Sequence, residues 1–472
     1  MATTHHDANL TGGVLRPMPM LYQENFSAAE LRTRRERVAD AIGGDAVAVL
    51  KGAGMGPGAE LFRQTNELYY LTGIETPHSY LLINGKSRSS TLYLPHRDHQ
   101  SERSAGRLLC AEDAAEVAEL TGVEHVYGSD LLAKDLTGLA LRGAIARLYS
   151  PFQPGESPAA SRDQLLGVQA LEDADPFGGR PSVQGHFLGL LRQRVPQLRL
   201  ADLSPILDLH RMVKSPRELD LLREAGRLTA AGVSAAMRAT RPGLMEYQLS
   251  AVARFVFQSG GARGDGYTPI TASGENAWFG HYSRQGSPLE PGDLVLMDYA
   301  PDFAYYTSDI GRMWPVSGRF SSGQRMLYEF ILEYHRTLLG LIKPGANADA
   351  VMDEAAEHMA SVLSRTKFER PSHVQAAQGA LEFRGHLSHP VGMCVHDVGD
   401  YRARPLAVGV VFSVDPMMWI EDERRYIRVE DTVTITSDGI ENFTEGAPLD
   451  PDEIESIMAD DRSGEHFTLA LS

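Results

Sequence analysis

The spacing of apolar positions changes character along the chain. In the first part, short apolar runs alternate with segments of helical period. "AVAVLK" (46–51), "LYYLTG" (68–73), "SYLLI" (79–83) and "TLYLP" (91–95) are rich in branched and aromatic residues and predict strands. "SAAELRTRRERVADAI" (27–42) predicts a helix, with Ser27 as its cap and Glu30 three residues on. Helical patterns recur at 104–122 and 182–195. This alternation predicts an α/β layered domain over residues 27–205, preceded by an irregular arm at 1–26.

A second domain is predicted over 206–450, with an acidic tail at 451–472 that starts as a short helix. The junction holds "SPRE": Ser215 as N-cap, Pro216 in the first turn and Glu218 reaching back. A long amphipathic helix follows to Thr240 and stops at Arg241-Pro242-Gly243. Further helices are predicted at 246–261, closed by Gly260-Gly261, and from Ser321 to Ile342. The remainder reads as strand-rich.

Four acids lie on or beside those strands. "LVLMD" ends in Asp298, and Asp309 follows the aromatic pair Tyr305-Tyr306. A hairpin turning near Asp302-Phe303 would set Asp298 opposite Asp309. Farther on, "AVGVVFSVD" ends in Asp415, and "YIRVEDTVTIT" carries Glu430. A hairpin about "EDERR" would face Asp415 toward Glu430. Like charges across a ladder repel. Between the two hairpins in sequence, "GHLSHPVGMCVHDVGD" supplies His386, His389 and His396. Four carboxylates and an imidazole make a mixed oxygen and nitrogen site for one or two divalent cations, and a bound cation removes the repulsion. Any one of these residues alone reads as a turn cap, a surface pair or a hydrogen-bonded histidine; their joint order points to the site.

Composition narrows the classes. The 472 residues are 43% apolar and 23% charged, ordinary for a soluble globular protein. The net charge of −17 argues against broad nucleic-acid binding, which needs a basic face. Two cysteines, Cys110 and Cys394, form no disulfide framework and suggest a reducing compartment. No apolar run reaches the length of a membrane span, and the first twenty residues have no apolar leader core, so a cytoplasmic location is expected. His5-His6 is too short and isolated to be a metal site.

Several motifs together resemble the pita-bread metallopeptidases, and among them Xaa-Pro aminopeptidase (aminopeptidase P). "HLSHPVGMCVHDVGD" resembles that family's histidine segment and "SGENAWFGHYS" the upstream segment ending in His281-Tyr282. "TSDIGRMWPVSG" and "IRVEDTVTIT" resemble its metal strands, "LFRQTNELYYLTGIETPHSYLLI" its N-terminal domain and "LHRMVKSPRELDLLREAG" its domain junction. The resemblance spans roughly residues 27–450. It implies an α/β N-terminal domain followed by an α+β pita-bread catalytic domain. It further implies two divalent metal ions, manganese first, with zinc, cobalt and iron as other candidates. Asp298 would hold one metal, Asp309 and Glu430 would bridge both, and His389 and Asp415 would complete the other. A water activated by the metal pair would hydrolyse the N-terminal Xaa-Pro bond of a small peptide. His281 and His396 would bind substrate and stabilise the intermediate, with Asp415 joining them in catalysis. His386 would shape the pocket for the prolyl residue, and Arg428 would orient carboxylate ligands. A homodimer or homotetramer is implied.

The chain also departs from the family pattern. Asp415 stands where the family has glutamate, Gly311 where it has threonine, Met393-Cys394 where it has Leu-Asp, and Pro390 follows His389. A prolidase-like dipeptidase, a specialised small-amide hydrolase and a metal-binding protein without turnover therefore stand beside the aminopeptidase reading.

Overall fold

The computed structural model describes residues 21–56, 61–142 and 145–459. The chain divides into two compact units, one of residues 1–157 and 162–210, the other of 158–161 and 211–472.

The first unit is a six-stranded sheet with helices. Its strands are β1 (Ala46–Lys51), β2 (Tyr80–Asn84), β3 (Ser89–Leu94), β4 (His125–Gly128), β5 (Arg147–Ser150) and β6 (Arg199–Asp202). They lie in the order β4-β3-β2-β1-β5-β6. The β1–β2 and β2–β3 pairs are antiparallel, and the outer pairs are parallel. The helices are α1 (Ala28–Ile42), α2 (Asn66–Thr72), α3 (His99–Ala105), α4 (Ala114–Thr121), α5 (Leu132–Leu141), α6 (Arg162–Ala174) and α7 (Val183–Arg194). The helix α8 (Ser204–Met212) carries the chain across the unit boundary. Val47, Val49 and Leu82 of the sheet pack with Leu132 and Leu136 of α5 and Phe187 and Leu191 of α7. Ser27 caps α1 by accepting from the Glu30 amide. Two predicted elements differ. "LYYLTG" is the helix α2, ended by Gly73 in the left-handed conformation, so its tyrosines mark burial in a short helix and not a strand. The helical run expected over 104–122 is broken, with α4 beginning only at Ala114.

The second unit holds the long helices α9 (Pro216–Ala239) and α10 (Glu246–Ser259), then α11 (Ser322–Leu341), α12 (Ala348–Arg365), α13 (Pro371–Glu382) and α14 (Pro451–Ala459). At α9 the Glu218 amide donates to Ser215 Oγ and the Ser215 amide donates to Glu218 Oε2, closing a capping box. The stretch between Ile342 and the acidic tail, expected to be strand-rich, also holds the helices α12 and α13 at 348–365 and 371–382.

The strands of this unit are β7 (Gly264–Asp265), β8 (Ile270–Ser273), β9 (Leu294–Asp298), β10 (Pro301–Asp302), β11 (Ile310–Pro315), β12 (Leu387–Pro390), β13 (Val411–Val414), β14 (Met417–Ile420), β15 (Arg425–Arg428), β16 (Glu430–Ile435) and β17 (Ile440–Asn442). The main sheet runs β12-β13-β16-β11-β9-β8, with β17 beside β16; β10 pairs with β7, and β14 with β15. Val295, Leu296, Met297, Ile310, Trp314, Val411, Phe412 and Val433 are fully or almost fully buried. The first unit is thus an α/β domain and the second an α+β domain.

Candidate metal centre

Two hairpins bring the acids together. In the first, β9 pairs with β11, Met297 opposite Arg312, and a two-residue turn joins Phe303 to Tyr306. The turn is centred on Ala304 and Tyr305, later than the expected Asp302-Phe303. Continuing the register sets Asp298 opposite Gly311, with Asp309 two positions away on the same face. The aspartates are therefore diagonal neighbours and not directly opposed. Ala304 and Tyr305 both have positive φ, +51° and +75°, as a tight hairpin turn of this kind demands. Neither is glycine or asparagine, so the usual sequence signal is missing. The turn is held by its surroundings: the Tyr305 amide donates to Asp302 Oδ1 at 2.9 Å, and Tyr306 Oη donates to Glu218 Oε1 at 2.9 Å.

In the second, β14 pairs with β15, Met417 opposite Arg428, and β13 pairs with β16, Val414 opposite Asp431. Both ladders extrapolate to the same pair, Asp415 against Glu430. Asp309 is seated against β16: its amide donates to Thr432 Oγ1 at 2.7 Å, and that hydroxyl donates to the Asp309 carbonyl at 2.8 Å. Arg312 donates to the Glu430 carbonyl at 2.6 Å and to Asp431 Oδ1 at 2.6 Å.

The side chains converge. Donor atoms of Asp309, His389 and Glu430 all lie within 4.8 Å of one another. His389 Nε2 is 3.2 Å from Asp309 Oδ2. Arg428 reaches Asp415 with two nitrogens, at 2.7 and 3.0 Å, and Asp298 Oδ2 at 2.6 Å. Its Nη2 is also 2.5 Å from Glu430 Oε2. A Cβ at Gly311 would stand 3.0 Å from the Glu430 Cβ and 3.2 Å from the Arg428 Cδ, so the missing side chain makes room for the arginine.

Family models match both halves of the chain: metallopeptidase family M24 over residues 220–437 and the aminopeptidase P N-terminal domain over 31–146. The chain is 32% identical over 414 residues to the Xaa-Pro aminopeptidase of Escherichia coli strain K12, a match covering 84% of this chain and 89% of that one. The chain belongs to the Xaa-Pro aminopeptidase family. Solved structures agree. An aminopeptidase P from Bacillus anthracis, described as putative, superposes with a TM-score of 0.76 at 26% identity, covering 92% of this chain and 98% of that one. Aminopeptidase P from E. coli with the inhibitor Pro-Leu gives 0.74 at 28%, with the same coverage. Membership makes this chain a metal-dependent exopeptidase, a metallo-aminopeptidase that uses divalent ions.

The residues present fit that requirement. Among the described residues, Asp298 Oδ1 and both Glu430 carboxylate oxygens are buried and accept no hydrogen bond, although the charged Arg428 Nη2 stands 2.5 Å from Glu430 Oε2. Buried acceptors left this way are costly, and a cation satisfies them. The titration behaviour shows the same crowding. Burial and the neighbouring Asp309 push the Asp298 carboxyl up to about 7 against the pull of Arg428. Burial drives Glu430 well above the carboxylate range, over the opposing charge of Arg428. At Asp309 burial also pushes upward, but the His389 contact wins and holds the carboxyl below its ordinary value. His389 is correspondingly raised, its burial outweighed by Asp309.

His396 lies against His389, ring centroids 4.1 Å apart and the rings tilted by 47°, and the His281 ring lies 6.2 Å from that of His396. His386 does not join them. Its Nε2 is 2.7 Å from the Ala380 carbonyl and its Nδ1 3.3 Å from the Asp415 carbonyl, and the ring packs edge-on against Tyr334 and Phe383. Burial lowers its pKa, and the neutral ring has one N–H to donate, with the Ala380 carbonyl the nearer acceptor; the expectation that His386 shapes a prolyl pocket is not met by this position, which ties the ring to the end of α13 beside Asp415.

Three contributors went unrecognised in the sequence. Tyr267 Oη donates to Asp309 Oδ1 at 2.9 Å. Asp397, next to His396, is buried between Arg211 at 2.6 Å and Lys214 at 3.0 Å. Its amide donates to the Pro390 carbonyl at 2.8 Å, closing the loop between His389 and His396. Glu246 is the third and is taken up below. Only the "VHDVG" context of Asp397 gave any hint.

Proposed function

We propose that this chain removes the N-terminal residue from peptides with proline at the second position. The observation that carries the reading is the convergence of Asp309, His389 and Glu430 within 4.8 Å, flanked by the Asp298 and Asp415 carboxylates that Arg428 gathers. Asp298, Asp309, His389, Asp415 and Glu430 would hold two divalent ions, manganese as the resident metal. Bound there, the ions would supply an activated water and polarise the scissile carbonyl.

The chain's own residues account for the rest. Arg428 and Tyr267 orient carboxylates. Asp415 is the carboxylate placed to take a proton from the attacking water. His396 lies beside His389 and His281 beside His396, and the two bind the substrate and donate to charge that develops on its carbonyl oxygen. An Xaa-Pro bond is a tertiary amide with fixed φ and no N–H, so a cleft that reads backbone donors cannot grip it. A cleft built on charge needs no such donor. Its acidic character also suits the free terminal amine, which confines cleavage to the first bond.

Two buried cysteines in unrelated contexts, Cys110 and Cys394, support a cytoplasmic setting, and no helix among the described residues is long and apolar enough to cross a membrane. A homodimer or homotetramer is proposed from the family, and domain limits of 27–205 and 206–450 from the sequence pattern. The test is hydrolysis of Xaa-Pro-Xaa tripeptides beside Xaa-Pro dipeptides with added manganese. Preferential cleavage of the tripeptides is expected. Cleavage of dipeptides alone would replace this reading with a dipeptidase, and no turnover at full metal content would leave a binding protein.

A further inference from the structure

Glu246 opens α10 and in sequence looks like an ordinary acid in a helix's first turn. In the structure it is completely buried. Its carboxylate accepts four hydrogen bonds. Oε1 takes the Ser273 amide at 2.8 Å and Asn276 Nδ2 at 2.9 Å; Oε2 takes Tyr282 Oη at 3.0 Å and the Ser287 amide at 3.0 Å. The four donors span the segment 273–287, so one carboxylate closes that loop on itself. Asn276 adds cross-links within the loop, to Tyr282 Oη at 3.1 Å and Ser287 Oγ at 2.9 Å. His281 sits at the tip, beside Tyr282, exposed and facing the His396 ring.

An exposed histidine on a fifteen-residue span (273–287) with only a short 3-10 turn inside it, Gly274–Trp278, would ordinarily be mobile. Here the loop has a buried ionic anchor, and hydrogen bonds to a charged acceptor are the strong kind. We infer that Glu246 is a positioning residue for His281, holding the loop so that the imidazole stays over the metal centre. The inference rests on the role assigned to His281 above.

The test is a double-mutant cycle on the metal-loaded enzyme with an Xaa-Pro-Xaa peptide. Glu246→Gln keeps the shape but turns one acceptor oxygen into an amide that opposes two of the four donors. It is expected to lower kcat about tenfold or more, the scale of a misplaced reacting group, with metal content unchanged. In the His281→Ala background the same substitution should cost less than about threefold, because the residue being positioned is gone. Equal losses in both backgrounds, or no loss in either, would overturn the inference. Should Glu246→Gln fail to fold, Tyr282→Phe removes a single donor and should show the same non-additivity at a few-fold scale; an additive effect overturns it equally. If the loaded wild-type enzyme turns over no prolyl peptide, the functional reading fails separately. Hydrogen exchange then decides the anchor: the Ser273 and Ser287 amides must be protected in the wild type and lose protection in the variant, and unchanged exchange would refute it.

Discussion

Arg428 offers the sharpest test of the electrostatics. Its buried guanidinium is 2.6 Å from Asp298, 2.7 Å from Asp415 and 2.5 Å from Glu430. With His389 committed to Asp309, Arg428 is the cation on which these three acids rely in the metal-free protein. Arg428→Met removes the charge at similar length. Breaking a buried ion pair from one side costs about 3–5 kcal/mol, because the remaining charges stay buried. Part of that cost is relieved by protonation. Burial already pushes the Asp298 carboxyl up to about 7, so the folded state holds more protons than the unfolded one above the ordinary aspartate pKa. Stability of the stripped protein therefore falls as pH rises toward and through 7, and the penalty of the substitution should be larger at pH 8 than at pH 6. With two divalent ions bound, four positive charges face four carboxylates. The penalty should then shrink to that of lost hydrogen bonds, about 1–2 kcal/mol. Urea unfolding of chelator-stripped and manganese-saturated protein, wild type and variant, measures all four states. Metal should stabilise the variant by about 2–3 kcal/mol more than it stabilises the wild type. An equal penalty with and without metal would refute the reasoning.

Two further outcomes are expected. Asp415→Glu restores the carboxylate length usual in the family and should raise hydrolysis of Xaa-Pro-Xaa peptides; an unchanged or lower rate at intact metal content would count against Asp415 as the proton acceptor. Asp397→Asn removes the buried carboxylate that Arg211 and Lys214 share and should cost about 3–5 kcal/mol in unfolding experiments. Asp397 is buried, yet Lys214 and Arg211 bring its carboxyl down to about 2, so its contribution is present above the ordinary aspartate value and is lost as pH falls from about 4 through 2. That is about 2 kcal/mol of acid sensitivity, which the variant should lack in a pH series of unfolding curves.

Much of the site was legible because strand-end acids obey simple register arithmetic. Asp415 and Glu430 lie six and five residues from the two ends of "EDERR", and two separate ladders place them together. The Asp298–Asp309 hairpin was legible in its face but not its register, since its turn is built from Ala304 and Tyr305 with no Asn-Gly signal. His386 and His389 look equivalent in sequence. What separates them is the irregular register of β12 and the free carbonyl of Ala380 near the end of α13, a helix that the apolar pattern had not revealed. Tyr267 and Glu246 act across long sequence separations, and no local pattern marks either. The strand misassigned at "LYYLTG" shows the ambiguity of a short apolar run, which burial imposes on helices and strands alike.

Activity in this fold turns on cations neutralising the acids at the ends of β9, β13 and β16. Elemental analysis of the purified protein, after equilibration with manganese and removal of free metal, tests this directly. Two ions per chain are predicted, falling sharply in Asp309→Ala and Glu430→Ala. Less than one ion per chain after exposure to manganese, zinc, cobalt and iron in turn, or a content indifferent to both substitutions, would contradict it.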